Sequence, residues 1–91
     1  MEHCYLISYD LCQPGRDYES LFDAIRRFPK WARLTESFWA IVCASNTTEI
    51  RDHLMRYMDA NDRIIVIQSG RNAAWNNIIA SSDWCRINLV Q

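Results

Sequence analysis

Apolar residues recur at two different periods along this chain, and the switches between them mark strands and helices in turn. Cys4 to Asp10 is an aromatic and aliphatic run of strand length, closed by the breakers Gln13-Pro14-Gly15. Tyr18, Leu21, Phe22 and Ile25 then fall at helical spacing, with Asp17 placed to cap and Pro29 placed to stop the helix. From about Arg33 to Ala44 β-formers dominate, Phe38, Trp39, Ile41 and Val42 among them. This stretch reads as two strands or one long bent one, with Thr35-Glu36-Ser37 as a short turn or a polar bulge. Asn46 and Glu49 have capping-box spacing ahead of the stripe Ile50, Leu54 and Tyr57 or Met58, which predicts a second helix. Asn61-Asp62 supplies a turn before the strand Arg63 to Gln68, which Ser69-Gly70 closes.

The order is strand, helix, strand, strand, helix, strand. That order, in a chain too short for a doubly wound sheet, predicts an α+β fold. The expected form is a ferredoxin-like βαββαβ sandwich, an antiparallel sheet with both helices on one face. The tail beyond Gly70 carries Trp75, Ile78, Ile79, Trp84, Ile87 and Leu89 and reads as a short helical or extended segment that covers part of the sheet.

Composition narrows the class. Ninety-one residues hold one hydrophobic core, so 1–91 is expected to be a single domain. So small a core gains from association, and an oligomer is expected. Apolar residues make up 49% of the chain and charged residues 23%, values of an ordinary globule, and no run reaches the roughly 18 apolar residues of a membrane span. Met1-Glu2-His3 lacks the basic start of a signal peptide, and the expectation is a soluble, cytoplasmic protein without a membrane partner. Cys4, Cys12, Cys43 and Cys85 include no C-x-x-C pair and read as buried or idle thiols. A net charge of −1 removes any global pull on nucleic acid and leaves local patches to do such work.

Two local features bear on chemistry. Strand alternation puts Cys4, Leu6, Ser8 and Asp10 on one face and Tyr5, Ile7 and Tyr9 on the other. A carboxylate at the end of a buried strand can hold a divalent cation, but one carboxylate rarely suffices, and a two-fold partner can supply the same residue again. The competing reading is that Asp10 caps the turn after the strand. Arg26, Arg27, Lys30 and Arg33 form a basic run with Arg16 upstream and with Phe28 and Trp31 interleaved. Such a run holds phosphates while an aromatic stacks on a base. Asp17, Glu19 and Asp23 on the same helix allow the plainer reading of a solvated helix end with ion pairs. His3 and His53 have no partner at metal spacing. Asn46-Thr47-Thr48 fits a glycosylation sequon but is better explained as a helix cap.

The run Leu6-Ile7-Ser8-Tyr9-Asp10-Leu11, followed by a helix and then by Arg33-Leu34-Thr35-Glu36-Ser37-Phe38-Trp39, resembles the CRISPR-associated Cas2-like family and its VapD-like relatives. It is most similar to the small SinR-labelled members, over roughly residues 4–68. The resemblance implies a ferredoxin-like homodimer that acts on RNA or DNA, in a CRISPR or toxin–antitoxin context. The action is that of a metal-dependent endonuclease or of a nonenzymatic scaffold. Carried over by position, Asp10 matches the strand-one aspartate that holds Mg²⁺ or Mn²⁺ at the dimer interface. Ser37 and Phe38 match the family's serine and apolar residue, while Arg16 and Arg33 sit where basic residues meet phosphates. The slightly acidic net charge and the tryptophan-rich tail depart from the family pattern. A noncatalytic dimeric module, antitoxin-like or scaffolding, is the rival expectation. A small-molecule sensor is a third, and it predicts ligand-dependent thermal shifts without affinity for nucleic acid.

Overall fold

The computed structural model describes residues 1–12 and 18–90, and Arg16, Asp17 and the Gln13-Pro14-Gly15 turn lie outside them. Its elements run β1 (His3–Asp10), α1 (Glu19–Arg26), β2 (Lys30–Thr35), β3 (Phe38–Cys43), α2 (Thr47–Met55), β4 (Arg63–Gln68) and α3 (Ser82–Asn88). The four strands form one sheet in the order β2-β3-β1-β4, every neighbouring pair antiparallel. The fold is thus α+β, with a four-stranded antiparallel sheet and three helices, and its order is compatible with the expected ferredoxin-like arrangement.

Local chemistry accounts for the boundaries. The ambiguous stretch after α1 resolves into a hairpin: β2 starts directly after Pro29, Glu36 and Ser37 make the turn, and the register slips between Arg33 and Thr35. In α1 the first turn is closed by the Tyr18 carbonyl, which accepts from the Leu21 and Phe22 N–H groups at 3.0 and 3.2 Å. The capping box of α2 is present in modified form. The Glu49 N–H donates to Asn46 Oδ1 at 2.9 Å, while the Glu49 carboxylate accepts from the Asn46 amide and the Ser45 hydroxyl rather than from the cap backbone. The helix ends at Met55, so Tyr57 and Met58 follow it rather than extend its stripe.

One face of the sheet carries the larger core. Tyr5, Ile7 and Tyr9 of β1 and Trp39, Ile41 and Cys43 of β3 pack against Leu21, Ala24 and Ile25 of α1 and Ile50 and Leu54 of α2. Trp39 is fully buried, and its indole N–H donates to the Tyr9 hydroxyl at 2.9 Å, which donates in turn to the Glu36 carbonyl at 3.1 Å. Among the described residues no buried side-chain nitrogen or oxygen lacks a partner.

The tail closes part of the opposite face. Cys4, Leu6, Ala32, Leu34, Phe38 and Ala40 meet Trp75, Ile78, Ala80, Trp84, Cys85 and Leu89, and the Ile79 N–H donates to the Leu34 carbonyl at 3.0 Å along the outer edge of β2. The tail is therefore extended first and helical afterwards, with Ser81 capping α3 through its hydroxyl, which accepts from the Trp84 N–H at 3.1 Å. Its cover runs over β2, β3 and β1 and stops short of β4. On β4, Ile65 and Ile67 stand opposite Ser8 and Leu6 on this face and remain 55% and 49% exposed. No helix among the described residues is long and apolar enough to cross a membrane.

Candidate nucleic-acid interface

Asp10 ends β1 at the corner where β4 begins. Its register partner is Arg63, and Asp10 Oδ2 lies 3.7 Å from the Arg63 guanidinium, both side chains standing largely in solvent. An ion pair so exposed adds little to stability, which leaves the carboxylate open to another partner. The corner is a shallow depression of about 150 Å³ bordered by Ser8, Tyr9, Asp10, Arg63, Ile64 and Ile65. The sheet brings Ser37 and Phe38 to the same end. The Ser37 carbonyl accepts from the Tyr9 N–H at 3.2 Å, and Phe38 stands opposite Ser8 while packing under the tail.

A divalent magnesium or manganese ion wants about six oxygen ligands in near-octahedral array. One chain offers it Asp10 beside a guanidinium, and among the described residues no group of three His, Cys, Asp or Glu side chains converges. Among the described residues, a single copy brings one carboxylate, that of Asp10, to this corner. Asp62 is close in sequence to Arg63, but its carboxylate is engaged elsewhere: it accepts from the Cys12 N–H at 2.7 Å, the Tyr18 hydroxyl at 2.9 Å and the Asp59 N–H at 2.8 Å. Those bonds pin the segments before α1 and after α2 to the start of β4, beside Asp10. The sequence showed Asp62 only as a turn residue, because acceptance from a backbone fifty positions away leaves no local signature. Arg63 was hidden likewise, since its pairing with Asp10 exists only through strand register.

The basic run separates in three dimensions. Arg26 lies 3.2 Å from Asp23 and 3.7 Å from Glu19, so for this residue the helix-end ion pairs are realised. Its guanidinium also sits 5.6 Å from the Trp39 ring centre and 6.0 Å from that of Trp31. Arg33 lies over Phe22 and Trp39 at 4.9 and 5.1 Å and donates twice to the Glu36 carbonyl, at 3.2 and 2.7 Å. These two arginines are built into the fold, where cation–π contact and hydrogen bonds fix them. Arg27, just past α1, and Lys30, at the start of β2, are exposed. Alternation along β2 places Lys30 on the tail side and Trp31 and Arg33 on the helix side. Phe28, also interleaved in the run, turns away to meet His53 edge-on at 6.2 Å.

The thiols divide by environment. Cys43 and Cys85 are buried, Cys4 is half-buried and Cys12 is exposed, and none is in a disulfide. Burial, helped by the charges of Cys85 and Cys43, pushes the Cys4 thiol from 9.0 up to about 11, and burial also raises Cys43 and Cys85. None of the three has the lowered pKa of a nucleophilic cysteine. No family model matches the chain.

Proposed function

We propose that the protein is a ferredoxin-like, Cas2-like homodimer that acts on nucleic acid in the cytoplasm through the corner containing Asp10. The observation that carries this reading is the uncovered half of the second sheet face: Ile65 and Ile67 stand exposed there, and Asp10 and Arg63 lie at its rim. A second copy related by a two-fold axis would bury the isoleucines, bring the two Asp10 side chains together and let each Arg63 meet the partner's carboxylate. Paired Asp10 residues supply the second carboxylate that one chain lacks. They would hold Mg²⁺ or Mn²⁺, which when bound activates water for phosphodiester hydrolysis. The exposed Arg27 and Lys30 would hold backbone phosphates, and Arg33 would keep the neighbouring aromatic surface in place. The four free thiols suit a reducing compartment.

The test is cleavage of labelled single- and double-stranded RNA and DNA with Mg²⁺, Mn²⁺ or EDTA, comparing the wild type with Asp10→Ala. Metal-dependent cutting that disappears in Asp10→Ala, with the dimer intact by sedimentation, is the expected result. Cutting that is equal in both proteins, or absent from both, removes the endonuclease. A second reading then stands, a noncatalytic dimeric scaffold or antitoxin-like module. It is favoured by the two arginines already satisfied inside the fold and by the Asp10 carboxylate already facing a cation.

A further inference from the structure

We infer that the groove along the outer edge of β2, between Trp31 and Trp84, binds the unpaired bases of single-stranded nucleic acid by stacking. This rests on the nucleic-acid reading above and gives the strand a place that is independent of Asp10.

The groove holds about 240 Å³, and Trp31, Ala32, Arg33, Ile79, Ala80 and Trp84 line it. The two indoles come from elements far apart in the chain, one from β2 and one from α3, and each packs against buried residues. Trp31 stands 5.7 Å from the buried Trp39 ring, centre to centre, yet remains 40% exposed. Trp84 packs in the cluster under the tail, and its backbone N–H donates to the Ser81 hydroxyl at 3.1 Å, which anchors the start of α3. An exposed indole that is already immobile gives up little entropy when a planar partner stacks on it. Ala32 and Ala80 also line the groove, and their small side chains take up little of it.

Charge selects the occupant. Arg33 lines the groove, and Lys30 is the residue before Trp31. Two acids near the lining in sequence have their own cations: Asp83 lies 2.7 Å from Arg86, and Asp23 lies 3.2 Å from Arg26. The surface thus offers aromatic faces flanked by positive charge, the pairing by which single strands are held without sequence preference. A duplex keeps its bases stacked and out of reach. An extended peptide adding to the sheet here would find the Leu34 carbonyl already taken by the Ile79 N–H.

The test is fluorescence anisotropy of labelled 12-mer oligonucleotides with the full-length protein in EDTA, so that no cutting intervenes. The probes are oligothymidylate, oligouridylate and an abasic phosphodiester of the same length. Trp31→Leu is expected to bind about tenfold more weakly, as is the abasic probe, whereas Trp31→Phe, which keeps a stacking face, stays close to wild type. Trp84→Leu is expected to weaken binding similarly, with thermal melting to show that it folds; Trp31, being exposed, carries the test if it does not. Removing Lys30 as Lys30→Ala should lower the slope of log affinity against log salt by about 0.7. Equal binding of abasic and base-bearing probes, or wild-type affinity in Trp31→Leu, overturns the groove while leaving the nucleic-acid reading in place. A wild type that binds no oligonucleotide overturns both, whether or not an extended peptide binds instead.

Discussion

The two faces of the sheet are closed by different means. On the helix side, two amphipathic helices arrive through crossovers and bring Leu21, Ile25, Ile50 and Leu54 over the full width of β1 and β3, and every residue of that core is nearly or wholly excluded from solvent. On the tail side, an extended segment and one short helix supply Trp75, Ile78, Trp84, Cys85 and Leu89, and they reach only as far as β1. A helix covers a strip about 10 Å wide, roughly two strand spacings, so two helices suffice for four strands and one does not. The difference teaches that the helix face holds the fold together, while the tail face leaves the β1–β4 half available for recognition. The candidate carboxylate lies on that available half.

The contrast can be broken most forcefully at its dense side. Trp39→Ala should cost about 4 kcal/mol, because it opens a cavity and also removes the donor to the Tyr9 hydroxyl and the ring on which two arginines pack. Urea denaturation measures this, and a loss below about 1 kcal/mol would show that this face is not the main support. At the tail, Leu89→Ala should cost about 2 kcal/mol, the low end for a buried leucine, since the short helix α3 can shift into the gap. A loss as large as that of Trp39→Ala would erase the distinction between the faces.

Alkaline pH sharpens the same comparison through Cys4, which lies under the tail. Its thiol ionises near 9.0 when unfolded and at about 11 when folded. The stability this contributes is therefore complete below pH 9 and is lost as pH rises towards 11. Urea midpoints followed from pH 8 to 11 should fall more steeply for the wild type than for Cys4→Ala. A decline remains in the variant, because burial also raises Cys43, Cys85, Tyr5 and Tyr9. Parallel curves would remove Cys4 from the account. The smallest effect on folding is expected on the open half: Ile65→Lys should change monomer stability by less than about 0.5 kcal/mol. The same substitution should abolish the dimer in sedimentation experiments, and a dimer that survives it lies on another surface.

Much of the architecture was legible because its signals are local. The alternation in Cys4–Asp10 predicted which β1 residues share a face, and the structure turns Tyr5, Ile7 and Tyr9 towards the helices. Asn46 with Glu49 announced α2, and Ser69-Gly70 marked the end of β4. The basic run was legible as composition but not as a site, since strand alternation and intramolecular acceptors divide it: Arg33 turns to the Glu36 carbonyl and Arg26 to Asp23. Trp84 could not be paired with Trp31 from sequence, because nothing in a chain order separated by fifty-three positions says that the tail returns to the edge of β2.

By itself, then, the sequence determined most of the elements and which β1 residues share a face, since periodicity, caps and breakers act over a few residues. Only the tertiary structure decided the strand order, the partial reach of the tail, the meeting of Asp10 with Arg63 and the groove between two tryptophans. These depend on register and on long-range packing, where groups meet because the whole sheet closes.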